Sequence, residues 1–302
     1  MTWLAARSAA RPTALAGVGL MLTGIFLFSC NDALGKWMLA TYSVGQMLLI
    51  RSLAAILLLV PFIWREGLAS FAAAPRPGLQ LTRVVLATLE SVMFFWAVSY
   101  LPLADVVTFY LAGPIYVTAL SALLLGEHVG WRRWTAVLVG FAGVVIALRP
   151  SAATLTAPAL IALAGSIFFA LLMVTTRALR GTSDTVLITG ITAGSLVFGL
   201  MAAPFAWVAP SLRDIALLAL LGVVAQTAHV CVNRSLKLAP ASVVVPYQYT
   251  LILWAVVLGY LVFGDVPEML VLVGAGIIVA AGLFIFLREQ VRGTAATPPE
   301  HP

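Results

Sequence analysis

Apolar residues in this chain neither alternate nor recur on a single helical face; they run on without interruption. Ten such runs lie at about 14–40, 44–64, 79–100, 103–125, 132–149, 156–178, 184–208, 213–236, 240–263 and 268–287. Each is long enough, at roughly 20 residues, to cross a hydrocarbon core of about 30 Å as a helix. The pattern predicts ten transmembrane helices. Most connections are very short, so consecutive helices are antiparallel neighbours. A β-barrel is excluded, because its strands would alternate apolar and polar positions. The longest connection, Arg65–Gly78, carries Pro75 and Pro77. After Arg292 the chain is polar and proline-rich, which reads as a disordered tail.

Composition agrees with that reading. The 302 residues are 62% hydrophobic and 9% charged. A water-soluble fold would have to expose far larger apolar patches than water tolerates. The formal charge of +6 suggests nucleic acid at first sight, but the basic residues sit at the ends of the apolar runs, where topology signals belong. The two cysteines, Cys30 and Cys231, lie in apolar runs without metal-binding or disulfide spacing. Arg7 and Arg11 precede the first run, in the manner of a signal peptide ending at Cys30. Phe28 fits such a cleavage site poorly and the run continues beyond it, so we read it as an uncleaved first helix.

The second half of the chain repeats the first. The stretch from Ala104 to Arg149 is two apolar segments joined at Gly126-Glu127-His128. The same plan returns from Ala241 to Arg288, joined at Gly264-Asp265. Gly126 and Gly264 are 138 positions apart; Gly143 and Gly282, and Arg149 and Arg288, are 139 apart. Lys36 aligns with Arg177, and Ser43 with Asp184, at an offset of 141. Each repeat therefore holds five spans. Five is odd, so the second repeat lies upside down relative to the first, an arrangement frequent in secondary transporters and found in channels as well.

With the N-terminus inside, 13 of the 17 Lys and Arg residues fall at cytoplasmic ends. Only Lys36, Arg149 and Arg213 fall at outer ends, and Arg51 lies within span two. This bias predicts that both termini are cytoplasmic in a bacterial inner-membrane protein. The expected organisation is a cytoplasmic N-terminus (1–13), a first five-helix repeat (14–149), a second (156–287) and a cytoplasmic tail (288–302).

The chain resembles the drug/metabolite transporter superfamily, EamA type, from residue 14 to 290. The resemblance is carried by the five-plus-five repeat and the hairpins ending in Leu125-Gly126-Glu127 and Phe263-Gly264-Asp265. Leu238-Ala239-Pro240-Ala241-Ser242 leading into span nine and the Gly-rich fifth and tenth spans add to it. Ala33-Leu34-Gly35-Lys36 followed by Arg51 resembles a subgroup that includes S-adenosylmethionine and riboflavin carriers and exporters of opine-type metallophores. The resemblance implies a central cavity lined by spans one, three, four, six, eight and nine. Those spans contain Glu90, Tyr110, His229, Tyr247 and Gln248.

Ionisable groups inside a membrane are costly and so mark functional candidates. Asp32 and Lys36 are spaced to share a face of span one and to pair, with Arg51 near the same outer level. That outer cluster either pins two helices together or contacts the solute. Glu90 lies deep in span three and can bind a proton, hold a cationic amine, or sit protonated in a structural hydrogen bond. His229 shares a face of span eight with Gln226 and Asn233, as a solute contact or as a polar seam between helices. Tyr110 and Tyr116 on span four correspond to Tyr247, Tyr249 and Trp254 on span nine. Such rings suit an amphiphilic solute or its amine. Pro114 and Pro246 bend these two spans or let them move.

No HExxH, GxSxG or phosphate loop occurs, so neither enzymatic chemistry nor ATP hydrolysis is indicated. No cofactor and no metal is implied. The expected partners are a small-molecule substrate and the lipid bilayer, with a homodimer permitted and no nucleic acid. The sequence thus points to a secondary transporter of a small polar or zwitterionic metabolite, with proton exchange at Glu90; the resemblance implies export as the direction. Uptake of S-adenosylmethionine, riboflavin or a similar compound is the alternative. A passive channel and a membrane enzyme acting on lipid are the readings from other classes.

Overall fold

The structure is a computed structural model, which describes residues 2–113, 115–117, 119–120, 131–148, 156–179, 181–238 and 245–295. Every regular element among them is helical. The helices are α1 (Thr2–Leu39), α2 (Val44–Glu66), α3 (Leu68–Ala72), α4 (Pro77–Val98), α5 (Leu103–Leu111) and α6 (Trp131–Leu148). The second half supplies α7 (Ala157–Ala178), α8 (Asp184–Ala202), α9 (Leu212–Leu238), α10 (Thr250–Leu258) and α11 (Met269–Ala295). Six of these are long and apolar enough to cross a membrane, and four shorter apolar helical segments accompany them. The expected turn at Gly126-Glu127-His128, together with Pro114 and Arg149, lies outside the described residues.

The helices pair across the two halves. α1 packs on α9, α4 on α7, α2 on α8, α5 on α10 and α6 on α11. Exchanging the repeats converts the α1–α9 pair into the α7–α4 pair and returns each of the other three pairs to itself. The contacts therefore carry the duplication that the sequence shows. The starts of α2 and α8 repeat as well. Ser43 accepts a hydrogen bond from the Gln46 backbone N–H (3.2 Å), and Ser183 accepts one from Val186 (3.3 Å). These two serines are the equivalent N-caps. The alignment of Ser43 with Asp184 is thus off by one position, because it is the capping hydroxyl that fixes the start of each helix.

Where two apolar helices have no water to expel, they associate by close packing of small residues. At the α6–α11 contact a Cβ on Gly143 would stand 3.0 Å from the Gly274 carbonyl oxygen. One on Gly274 would stand 2.7 Å from that of Gly143. The outward faces carry large apolar side chains such as Leu57, Leu138, Phe205 and Leu261, all strongly exposed. Only a hydrocarbon surround makes such a surface favourable. Trp64, Tyr100 and Trp131 are exposed near helix ends, the usual position of rings at a membrane interface.

Span nine departs from the single helix expected over 240–263. Its described part is a 3-10 turn (Val245–Tyr249), then α10, then a π-helical turn (Gly259–Phe263). Pro246 offers no N–H to a helical ladder, which accounts for the irregular start. The far end stops at Gly264, whose φ of 71° lies in the left-handed region that glycine enters without strain. The Asp265 N–H then closes on the Gly259 carbonyl oxygen at 3.1 Å, which fixes where the Asp265 carboxylate starts.

Candidate functional site

Three helix ends define one face of the bundle. α1 and α2 meet at residues 40–43, α4 and α5 meet at 99–102, and the Gly264-Asp265 turn joins them there. Lys36 ties all three together. Its ammonium donates to the Leu101 carbonyl oxygen at 3.1 Å and to Asp265 Oδ2 at 2.7 Å, and lies 4.6 Å from the centroid of the Phe263 ring. The expected pair between Lys36 and Asp32 is therefore not the one that forms. Helical spacing favours Asp32, but the fold offers Lys36 a carboxylate and a carbonyl at the end of its helix, where a long side chain reaches out of the apolar interior.

The outer cluster is thereby split, and Asp32 and Arg51 lie within electrostatic reach of Glu90 instead. Asp32 lies seven residues before the end of α1, and Arg51 seven after the start of α2. Glu90 lies eight before the end of α4, and Tyr110 seven after the start of α5. At about 1.5 Å per residue all four sit roughly 10–12 Å below the Lys36 face. The charge of Arg51 acts on both carboxylates, that of Asp32 acts on Glu90, and both carboxylates act on Tyr110. Asp32 accepts a hydrogen bond from Asn31 Nδ2 (3.3 Å), and Glu90 accepts one from Ser91 Oγ (3.2 Å).

Aromatic rings separate this cluster from the face above. The Arg51 guanidinium carbon lies 5.2 Å from the centroid of the Phe95 ring. Phe95 meets Phe94 edge to face at 5.3 Å, and Phe94 meets Tyr110 in the same manner at 5.1 Å. The Tyr110 hydroxyl points back to the Glu90 carbonyl oxygen at 3.4 Å. Tyr110 then leans on Phe169 of α7, at 6.0 Å between centroids.

The α9 residues continue the polar interior deeper into the bundle. His229 Nδ1 lies 2.8 Å from the Ala225 carbonyl oxygen, which makes that nitrogen the protonated donor and leaves Nε2 as the ring's acceptor in the neutral form. Its ring meets Phe28 of α1 edge to face at 4.8 Å. Gln226 donates to Thr192 Oγ1 of α8 at 3.2 Å, and Asn233 is half-buried on the same helix. Tyr247 is exposed and Gln248 half-buried in the turn before α10, which packs on α1 and α11. No described contact joins either of them to the charged cluster.

Two functional-looking residues escape a reading of the sequence. Asp265 is visible there only as a turn residue. Arg83 reads as a cytoplasmic topology signal at a helix end, yet it is buried among α4, α7 and α8. Its Nε donates to Thr176 Oγ1 at 2.8 Å and its Nη1 to the Leu187 carbonyl oxygen at 2.9 Å. Among the described residues, no group of three metal-ligating side chains comes together.

Charged groups of both signs, held inside a duplicated bundle with an apolar exterior, suit a protein that passes polar solutes through a membrane. The EamA-like transporter family matches residues 15–149 and 156–287, nearly all of the ten spans. The chain belongs to this family. Its curated relatives include an S-adenosylmethionine uptake transporter of Rickettsia bellii, 25% identical over 277 residues that cover 91% of this chain and 94% of that one. A riboflavin transporter of Vibrio cholerae is 27% identical over 90% and 93%, and the pseudopaline exporter CntI of Pseudomonas aeruginosa is 29% identical over 88% and 94%. A solved crystal structure shares the fold at a TM-score of 0.57 and 16% identity, over 94% of this EamA-family chain and 98% of the other. The family members named here are transporters, and both uptake and export occur among them.

Proposed function

We propose that this EamA-family transporter is a secondary carrier of the bacterial inner membrane that exports a small polar or zwitterionic metabolite. An amino-acid-derived compound, such as an opine-type metallophore, is the class we favour. Transport proceeds by alternating access, the two repeats rocking about a central site. Both termini face the cytoplasm, following the bias of basic residues. The observation that carries the reading is the placement of Asp32, Arg51 and Glu90 at one depth of their helices and within electrostatic reach of one another, opposite charges that match a solute bearing both. Proton exchange at Glu90 supplies the coupling. Uptake of S-adenosylmethionine, riboflavin or a similar compound is the second reading, favoured by one relative named for S-adenosylmethionine uptake and another named as a riboflavin transporter.

Untargeted profiling of medium and cytoplasm tests both readings, comparing a deletion strain with its complemented parent. Export predicts a compound that accumulates inside the deletion strain and disappears from its medium. A compound depleted inside while its external supply goes unused establishes uptake and overturns export.

A further inference from the structure

We propose that Arg51 receives the carboxylate of the transported solute, so that the cargo is an amino-carboxylate and not a carboxylate-free compound such as a flavin. This rests on the reading that the chain carries a small zwitterionic metabolite through the interior cluster.

The argument begins from a comparison of two arginines in the same bundle. A guanidinium keeps its charge under all ordinary conditions, so one held inside a membrane protein needs acceptors. Arg83 has them: Nε and Nη1 are spent on Thr176 and on the Leu187 carbonyl, joining three helices. Arg51 is held differently. Its Nη1 is buried and meets no acceptor of the protein. The Phe95 ring, 5.2 Å from its guanidinium carbon, attracts the cation but takes no hydrogen bond.

Two carboxylates lie within electrostatic reach of Arg51, yet each is engaged on its own helix. Asp32 is held by Asn31 and Glu90 by Ser91. Asn31 Oδ1 is a second buried polar atom with no partner. The interior therefore offers a free donor on a cation, a free acceptor, and two carboxylates. That set complements a carboxylate and an ammonium borne by one small molecule. The guanidinium fork suits a carboxylate in particular, since two parallel N–H groups match its two oxygens.

The backbone of Arg51 is also held in place from behind. Gly222 of α9 lies so close to it that a Cβ there would run into the Arg51 carbonyl oxygen. Phe95, above the guanidinium, is wedged against Gly35 of α1 in the same way. A recognition group fixed before the solute arrives loses less conformational freedom on binding.

The test uses the full-length protein in cells and in proteoliposomes. Profiling of cells with and without the chain identifies the compounds whose distribution it changes. Each such compound is expected to carry a free carboxylate, and its methyl ester is expected to be a poor substrate of the wild type. At equal membrane abundance, Arg51→Gln should raise KM about 30-fold or more with a smaller change in kcat, and Arg51→Lys should recover part of the loss. A merely structural arginine would lower membrane abundance or kcat without discriminating acid from ester. If Arg51→Gln fails to fold, the acid-against-ester comparison on the wild type and on Arg51→Lys decides. Transport of riboflavin, equal transport of acid and ester, or an unchanged KM in Arg51→Gln overturns the assignment while leaving the transporter reading intact. If the wild type redistributes no compound at all, the zwitterion reading fails and this assignment fails with it.

Discussion

Lys36 Nζ stands 2.7 Å from Asp265 Oδ2, although 229 positions separate the two residues in the chain. The pair joins the end of α1 in the first repeat to the turn before α11 in the second. It lies at the face above Asp32, Arg51 and Glu90. Any movement that opens this face between the repeats must break it. Both side chains retain some exposure, 14% for Lys36 and 28% for Asp265, so the pair contributes about 1 kcal/mol or less. A latch of that strength biases an opening without preventing it.

Weakening the latch should therefore shift the population toward the open form by a modest factor. A cysteine placed at Ser91, beside Glu90, in a background with Cys30 and Cys231 replaced by serine, reports on access to the interior. Asp265→Asn should raise its labelling by an impermeant thiol reagent about fivefold. Exchanging the two charges, Lys36→Asp with Asp265→Lys, should restore slow labelling. Unchanged labelling in Asp265→Asn would show that other contacts hold the face closed.

Arg83 presents the opposite case, a buried charge with its acceptors in place. Arg83→Met leaves Thr176 and the Leu187 carbonyl without this donor and loosens the junction of α4, α7 and α8. The loss should be about 2–3 kcal/mol, read as a lower thermal midpoint of the purified protein in detergent. Transport by the surviving folded fraction should keep its KM, because Arg83 hydrogen-bonds to helices rather than to solute. A KM that rises as far as in Arg51→Gln would place Arg83 in the solute path.

What could be read in the sequence follows from the range of the interactions involved. The ten runs, the five-plus-five repeat and the burial of Glu90 depend on hydropathy along the chain, which is local information. Partner choice is not local. Lys36 has Asp32 one helical turn away and takes Asp265 instead, because the fold brings that turn over the end of α1. Arg83 sits among the first residues of α4, where a sequence suggests a topology signal. Only the packing of α7 and α8 turns it inward. The break in span nine has a visible cause in Pro246, but the π-helical turn that follows depends on how the chain reaches Gly264.

Tyr42, in the connection between α1 and α2, donates a hydrogen bond of 2.7 Å to Asp214 Oδ2, which also accepts from Ser211. The neutral phenol makes that bond and the phenolate cannot, so the neighbouring carboxylate pushes the Tyr42 pKa up. The sign of the linkage follows. The contribution to stability is fully present below the ordinary phenol value of about 10, and is lost as pH rises through the higher folded value. Thermal midpoints measured from pH 8 to 11 should fall more steeply for the wild type than for Tyr42→Phe. Parallel curves would mean that the bond contributes nothing in solution.

Glu90 is the proposed site of coupling. Two carboxylates and one guanidinium leave the interior cluster with one excess negative charge when all three are ionised. In a low dielectric that excess is costly, and either a proton or a cationic group of the solute offsets it. If the proton resides on Glu90, each passage of solute exchanges with it, and a pH gradient drives accumulation. Glu90→Gln keeps the size and polarity of the side chain but can neither release nor take up a proton. In proteoliposomes, the variant should still equilibrate solute down its own gradient while losing accumulation driven by a pH gradient. Asp32→Asn, tested alongside, should retain that pH response. Should Glu90→Gln accumulate solute as the wild type does, the proton is carried elsewhere, and a reversed outcome for the two variants would move it to Asp32.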